Sequence, residues 1–261
     1  MRISRRIVSG RNTSQAWVNV IRYLDTLPGD EAYHLVTQIE RPTEEEPAVR
    51  QAVDELLKKV DLAPVGTVRN TIFPASLAER FPKPSTLAAE YRRLYPRICG
   101  FHQNKFGTYF GRLVTLTTDG KSDQLNGVLV KLRSAFRRKA RYEIALGNFD
   151  DLAMTVYSDK KDGKRPIGGF PCLSFLSFQR DDDSLHLMAY YRNHYLVERG
   201  YGNYVGLGAL LGYVAQHSSL FPGVLTVVAG HAQIEKHIRL VRSALQSCGG
   251  MEDRIGADDG L

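Results

Sequence analysis

Cys172 has the setting that most favours nucleophilic chemistry. It follows Gly168-Gly169-Phe170-Pro171 and begins the apolar segment CLSFLSFQ (172–179). A cysteine at such a position is most often a buried structural residue. However, the glycine-rich approach fits a turn that reaches the surface, and nearby arginines would lower the pKa of the thiol and raise its thiolate fraction. Cys172 is therefore the candidate nucleophile.

Arg192 is the residue that we expect to lie beside Cys172. The segments 172–179 and 185–192 flank the polar stretch 180–184, a pattern that predicts a β-hairpin with a five-residue connection. A symmetric hairpin brings both outer ends to the same edge of a sheet, so the cysteine and the arginine meet there. The alternative is that Arg192 is a solvated strand end.

Asn203 lies near the start of a glycine-rich apolar segment, 203–217, which predicts a helix. Its carboxamide has one acceptor and two donors, so it can pair with an N–H beside a carbonyl, the edge that uracil presents. Asparagine is also a favoured helix N-cap. The two roles are compatible.

The basic segment 136–141 contains four cations. It fits a solvated helix end that complements the helix dipole. It also fits a clamp for a phosphate group. Both interpretations stay open at this point.

The bulk properties fit a soluble globular protein. The chain has 261 residues, of which 43% are hydrophobic and 24% charged, and it contains no 18-residue apolar run. Neither a membrane-spanning helix nor a secretory signal is therefore expected. Three cysteines without a C-x-x-C motif argue against a disulfide framework or a metal site and favour the cytoplasm. The net charge of +7 favours an anionic ligand or loose nucleic-acid binding.

The hydrophobic pattern predicts an α+β fold in one domain, because helices and strands mix without regular alternation. Residues 61–85 contain several prolines and are expected to be irregular, and 106–117 is expected to be a turn entering a strand. Helices are predicted over 14–25, 48–60, 87–95, 123–139, 203–217 and 231–246, and strands over 33–40, 141–148, 172–179, 185–192 and 224–230.

The second half of the chain resembles the thymidylate synthase and pyrimidine nucleotide hydroxymethylase superfamily. That family has a Pro-Cys-His strand, a strand ending in Gln-Arg-Ser-x-Asp, an asparagine-bearing helix and a Gly-Asp-x-His-x-Tyr segment. Cys172, Arg192 and Asn203 fall at the family's intervals with no gap. The segments that carry the resemblance are PCLSFLSFQ, LHLMAYYRNHY, GYGNYVGLGALLGYVA and FPGVLTVVAGHAQIEKHI.

A weaker resemblance extends upstream to about residue 86. Arg141 matches the second arginine of the family's Ser-Arg-Arg, and Asn148 matches the asparagine of its Trp-Asn. FGTYFGR (106–112) is similar to Tyr-Gly-x-Gln-Trp-Arg, and Glu90 matches a catalytic glutamate. Residues 1–85 show no match and are regarded as the divergent part of a single thymidylate synthase-like domain, 1–261.

The resemblance implies a mixed sheet packed with helices and a defined chemistry. The Cys172 thiolate would add to C6 of a uracil-type base and make C5 nucleophilic, with Glu90 as a further catalytic residue. Arg192 would hold the phosphate and Asn203 the base. Arg141 would reach the phosphate of a neighbouring subunit, which implies a homodimer. The one-carbon donor would be 5,10-methylenetetrahydrofolate.

Several positions depart from the family pattern and indicate a paralogue. Leu173 replaces the histidine after the cysteine, and Asn193 replaces a serine that helps bind phosphate. Tyr195 stands where an aspartate contacts folate. Gln233 and Glu235 stand where a histidine and a tyrosine hold the sugar 3′-hydroxyl.

The main hypothesis is therefore a transferase that adds a methyl or hydroxymethyl group to C5 of a pyrimidine nucleotide other than plain dUMP. The first alternative is a nucleotide-binding or regulatory protein on the same fold that has lost folate chemistry. A nucleic-acid-binding protein that uses the basic surface 133–141 and a housekeeping thymidylate synthase are weaker alternatives. Neither a membrane nor a nucleic acid is expected as a partner.

Overall fold

A six-stranded mixed sheet forms the centre of the fold. The computed structural model describes residues 6–104, 107–115, 123–134, 142–146 and 171–247. The strand order is β1-β2-β6-β5-β4-β3. The strands are β1 (Ile7–Asn12), β2 (Glu31–Arg41), β3 (Glu143–Ala145), β4 (Leu173–Asp181), β5 (Ser184–Tyr195) and β6 (Phe221–Gln233).

The predicted hairpin is confirmed as the antiparallel pair β4–β5, but its connection is shorter than expected. Asp181 pairs with Ser184, so only Asp182 and Asp183 connect the strands. Asp182 takes a left-handed conformation with φ 46°, which aspartate tolerates in tight turns. β5 then pairs in parallel with β6, and β6 pairs antiparallel to β2. The α+β class is confirmed.

Nine α-helices occur in the described ranges, and none of them is long and apolar enough to cross a membrane. The predicted helices 14–25 and 48–60 are confirmed. The helices are α1 (Thr13–Asp25), α2 (Pro47–Lys59), α3 (Val65–Ile72), α4 (Ala75–Arg80), α5 (Pro84–Cys99), α6 (Tyr109–Thr115), α7 (Gln124–Arg133), α8 (Tyr201–His217) and α9 (Ile238–Ser247).

The prediction that 61–85 is irregular is wrong, because three of its four prolines lie at the starts of helices. Pro64 and Pro74 are the N-cap residues of α3 and α4, and Pro84 is the first residue of α5. A proline costs nothing there, since the first turn of a helix needs no N–H partner. The expected end of the next helix at Pro96 is also wrong: α5 continues to Cys99.

Two further segments differ from expectation. Residues 106–117 were predicted to enter a strand, yet Tyr109–Thr115 is the helix α6, which buries Phe110, Leu113 and Val114 at helical spacing. The helix predicted over 231–246 begins later, because β6 continues to Gln233 and α9 starts only at Ile238.

Helix α3 packs closely against α8, next to the edge of the sheet at which β4 begins and β5 ends. A side chain at Gly202 would approach the Val68 Cβ to 2.6 Å, and one at Gly206 would approach the Ile72 Cβ to 2.9 Å. Glycine is therefore required at both positions for this close contact. The turn that precedes α8 is also anchored to α1, because the Trp17 Nε1–H donates to the Leu196 carbonyl at 2.8 Å.

Candidate active site

A cavity of about 250 Å³ opens where β4 begins and β5 ends. The strand pair forms one wall together with the π-helical turn Leu196–Gly200 and the first turn of α8. Helices α3 and α6 form the opposite wall. The lining residues are Val68, Thr71, Tyr109, Cys172, Tyr191, Asn193, His194, Tyr195, Glu198, Arg199 and Asn203.

Cys172 and Arg192 lie together at this edge, as the hairpin predicted. The Arg192 backbone N–H donates to the Cys172 carbonyl at 2.9 Å. The Arg192 guanidinium Nη2 donates to the Pro171 carbonyl, also at 2.9 Å. The arginine is thus fixed beside the cysteine through the backbone, although its side chain does not line the cavity itself.

The thiol of Cys172 is half-buried, and this burial decides its acidity. Burial raises the pKa of the thiol above its ordinary value, and the positive charges of Arg192 and Arg199 oppose that rise only in part. The expected direction, a net increase of the thiolate fraction, is therefore wrong for the free protein. Desolvation destabilises the thiolate more than the charges of the two arginines stabilise it.

Tyr109 was not identified from the sequence as a site residue. It lies on α6 across from Cys172, and its hydroxyl accepts the Leu173 backbone N–H at 3.5 Å. Burial raises the pKa of Tyr109 to about 12. The hydroxyl therefore stays protonated near neutral pH and can donate a proton or a hydrogen bond within the cavity. The only signal in the sequence was the FGTYFGR similarity, which sets Tyr109 against the glutamine of Tyr-Gly-x-Gln-Trp-Arg and not against a tyrosine.

Asn203 lies in the first turn of α8 and is 4% exposed. The helix begins at Tyr201 after Gly200, so the alternative N-cap role is wrong. Its Nδ2 lies 3.1 Å from the Nε2 of His194, a residue that sequence reasoning missed. His194 is buried and stacks on Tyr191, with ring centroids 4.3 Å apart and an interplanar angle of 11°. Burial lowers the pKa of His194 to about 3.

Asn193 and Gln233, two of the predicted substrate-binding residues, contact each other. The Gln233 Nε2 donates to the Asn193 Oδ1 at 3.0 Å. The same nitrogen lies 3.3 Å from the Nδ1 of His231, whose Nε2 lies 2.8 Å from a carboxylate oxygen of Glu31. A polar chain thus runs across β5, β6 and β2 from the cavity to the rim of the sheet.

Glu235 contacts the backbone rather than the cavity. Its carboxylate accepts the backbone N–H groups of Val197 and Glu198, the former at 3.3 Å. Burial is the main reason that the pKa of Glu235 is raised. The geometry makes this residue an anchor of the turn that precedes α8, and hence a support of Asn203.

Glu90 lies apart from the cavity. It forms an ion pair with Arg93 on the same helix, α5, at 2.6 Å. The hydrogen bond from Arg93 lowers the pKa of Glu90. The structure therefore does not bring this predicted catalytic residue together with Cys172.

Glu198 and Arg199 add groups that the motifs did not indicate, and they lie beside Tyr195, which replaces the family's folate-contacting aspartate. Arg199 and Glu198 pair at 2.9 Å, and both line the cavity. Tyr195 is 38% exposed and ends β5 at the same place. The cavity thus carries a second cation besides the neighbouring Arg192.

Other predicted positions lie outside the described residues. They are Arg141 with the rest of the basic segment from 136, Asn148, and the glycine-rich approach to Cys172 at 168–170. The phosphate-clamp and neighbouring-subunit roles of Arg141 stay predictions.

The comparisons with known proteins give one informative relative. No family model matches the chain. A protein of Methanococcoides burtonii named "Putative thymidylate synthase" is 30% identical over 120 residues, which are 46% of this chain and 49% of that protein. The chain thus spans about half the length of the curated relative that it matches. This similarity suggests the thymidylate synthase superfamily, in agreement with the motifs around Cys172, Arg192 and Asn203.

Proposed function

We propose that this protein adds a one-carbon group, methyl or hydroxymethyl, to C5 of a uracil-type pyrimidine nucleotide through a covalent adduct with Cys172. The observation that carries the proposal is the single cavity that holds Cys172 and Asn203, with Arg192 bonded to the backbone beside the cysteine. The similarity to the Methanococcoides burtonii protein supports the same class of chemistry.

Cys172 begins the reaction as a thiolate. Its sulfur forms a bond to C6, and the electron pair of the C5–C6 double bond moves toward C5 and the C4 carbonyl. C5 would then bond to the one-carbon unit as the bond between that unit and a donor nitrogen breaks, and C5 would lose its proton. Water would complete a hydroxymethyl group, whereas a methyl group would need a hydride from the reduced donor. Breaking of the S–C6 bond restores the double bond and the thiolate. Tyr109, whose protonated hydroxyl lies beside Leu173, is the described group best placed to relay the C5 proton, by accepting it as the hydroxyl releases its own proton to water.

The remaining polar residues would orient the nucleotide. Asn203 reads the base, and Arg192 supplies the charge for the phosphate. Asn193 and Gln233, already bonded to each other, lie toward the sugar end of the site. Arg141 of a neighbouring subunit completes the phosphate contacts in this proposal.

The folate donor requires a second space, because a cavity of about 250 Å³ is small for two ligands. An adjoining cavity of about 340 Å³ shares Thr71 with the first and lies between α3, α4 and α5. Tyr195, Glu198 and Arg199 line the first cavity and would hold the part of the donor that enters it, since they offer a ring, a carboxylate and a guanidinium. The residues fit 5,10-methylenetetrahydrofolate, which supplies the one-carbon unit when bound.

A homodimer is proposed through the open face of the sheet. One row of facing residues crosses all six strands on the side opposite to the buried core residues. Five of its members are larger than alanine and apolar or aromatic, and such a row favours burial against a second copy. The row is Ile7, Val36, Val228, Tyr190, Phe175 and Ala145. Light scattering that gives a monomer mass at micromolar concentration would contradict this assignment.

Tritium release from C5-labelled dUMP and UMP tests the proposed chemistry, with and without methylenetetrahydrofolate. We expect release by the wild type and none by Cys172→Ala, because the adduct at C6 is what makes C5 reactive. Cys99→Ala is the matched control, since Cys99 ends α5 and does not line the cavity. Release that is unchanged in Cys172→Ala overturns the proposal.

The alternative is a nucleotide-binding protein without transfer chemistry. Two observations favour it: the raised pKa of Cys172 and the position of Glu90 away from the cavity. It predicts that a pyrimidine nucleotide binds while no tritium is released from C5.

A further inference from the structure

His194 is held rigidly between three neighbours at the back of the cavity. It is 1% exposed and stacks on Tyr191. The ring of Tyr204 meets it edge-on with centroids 5.5 Å apart, and the Tyr204 hydroxyl is itself fixed by a bond to Thr37 at 3.2 Å. The imidazole therefore has little freedom to turn, and its Nε2 stays directed at Asn203.

The contact between the two side chains has one consistent proton arrangement. A carboxamide nitrogen only donates, so the Nε2 of His194 must accept, and the ring proton must lie on Nδ1. The low pKa of His194 agrees with a neutral ring. A neutral imidazole in this tautomer acts as a fixed acceptor for one N–H of Asn203.

This bond decides which end of the Asn203 carboxamide lies toward His194. The nitrogen lies toward the histidine, and the oxygen and the second N–H remain for a ligand in the cavity. The bond thereby fixes where the acceptor oxygen and the donor N–H of Asn203 lie relative to a ligand in the cavity. A pyrimidine cannot compensate by turning over, because C6 must lie at Cys172 for the proposed adduct to form.

We propose that His194 is a positioning residue that sets base selectivity: by fixing the carboxamide of Asn203, it favours a uracil edge over a cytosine edge. Uracil offers an N3–H donor beside the O4 acceptor, whereas cytosine offers an N3 acceptor beside an amino donor. With the carboxamide fixed, the N3 acceptor of cytosine faces the Asn203 oxygen, and the amino donor of cytosine faces the Asn203 N–H. Neither hydrogen bond can then form. This inference rests on the proposed function, since it assumes a pyrimidine in the cavity.

The proton position on His194 can be measured in the full-length wild-type protein without any nucleotide. We expect ¹⁵N NMR at neutral pH to show the proton on Nδ1 and an unprotonated Nε2. A proton on Nε2 would overturn the proposal, because the Asn203 oxygen would then face the histidine and the exposed order would suit cytosine.

Two variants test the effect on selectivity. His194→Phe keeps a ring to stack on Tyr191 but removes the acceptor, whereas His194→Gln keeps an acceptor oxygen. The dissociation constants of dUMP and dCMP are measured by calorimetry for both variants and the wild type. We expect the preference for dUMP to fall roughly five- to tenfold in His194→Phe and less in His194→Gln.

The outcomes separate the two proposals. If the wild type prefers dUMP and His194→Phe keeps the same ratio, the role of His194 is overturned while the proposed function stands. If the wild type binds neither nucleotide and releases no tritium from C5 of UMP, the proposed function fails and the selectivity fails with it. If it releases tritium from UMP, the same ratio is measured with UMP and CMP. If His194→Phe does not fold, the ratio in His194→Gln and the NMR result decide.

Discussion

The two walls of the cavity are built in different ways. The strand wall, which carries Cys172, His194 and Asn203, comes from one stretch of chain, 171–203, in which a hairpin leads through a short turn into α8. The helical wall, formed by Val68, Thr71 and Tyr109, comes from α3 and α6. The contact between the walls at Leu173 and Tyr109 joins residues 64 positions apart.

The two walls therefore contribute different chemical groups to the site. The strand wall holds the proposed nucleophile and the group that reads the base. The helical wall contributes one buried hydroxyl and two small side chains. A change in the strand wall should therefore alter which ligand binds, and a change in the helical wall should alter how fast a bound ligand reacts.

Asn203→Asp is expected to have the largest effect. A buried carboxyl that keeps its proton donates to N3 of cytosine and accepts from its amino group, so the preference should shift from dUMP to dCMP. We expect dUMP affinity to fall by roughly 100-fold, measured by calorimetry. Asn203→Ala is the control: it should weaken dUMP without gaining dCMP. An unchanged preference in Asn203→Asp would contradict base reading by this residue.

Tyr109→Phe tests the helical wall. Loss of the hydroxyl should reduce tritium release from C5 by roughly 10- to 100-fold, because it removes the proposed proton carrier. The nucleotide affinity should change little. Glu90→Gln serves as the comparison on α5 and should change release less than about twofold, since Glu90 does not line the cavity. Full release by Tyr109→Phe would remove Tyr109 from the mechanism.

Arg199→Gln is expected to have the smallest effect. Arg199 lowers the pKa of Cys172 while burial raises it, so its loss should raise the pKa further. Alkylation of Cys172 by iodoacetamide at pH 8 should slow roughly two- to fivefold, as followed by peptide mass spectrometry. In the wild type the rate should rise with pH until the raised pKa is passed, because only the thiolate reacts. Arg242→Gln, an exposed change beside Asp25, should leave the rate unchanged.

The strand wall was largely predictable because its pattern is local. The two strand-like segments 172–179 and 185–192 on either side of a short polar stretch predicted the hairpin, and its symmetry then placed Cys172 and Arg192 at one edge. The helices within 61–85 were not predicted, because a proline that begins a helix and a proline in a loop look alike in the sequence. Residues 106–117 were misjudged because only tertiary packing shows whether a short apolar run is a helix or a strand.

The residue pattern was sufficient to predict the α+β class, the hairpin and the positions of Cys172, Arg192 and Asn203. The folded structure was needed to show that His194 faces Asn203, that Tyr109 lies across from Cys172 and that Glu235 anchors the turn before α8. It also gave the direction of the Cys172 pKa shift. The physical reason is that periodicity records which face an element buries, whereas a contact partner and the degree of desolvation depend on elements far away along the chain.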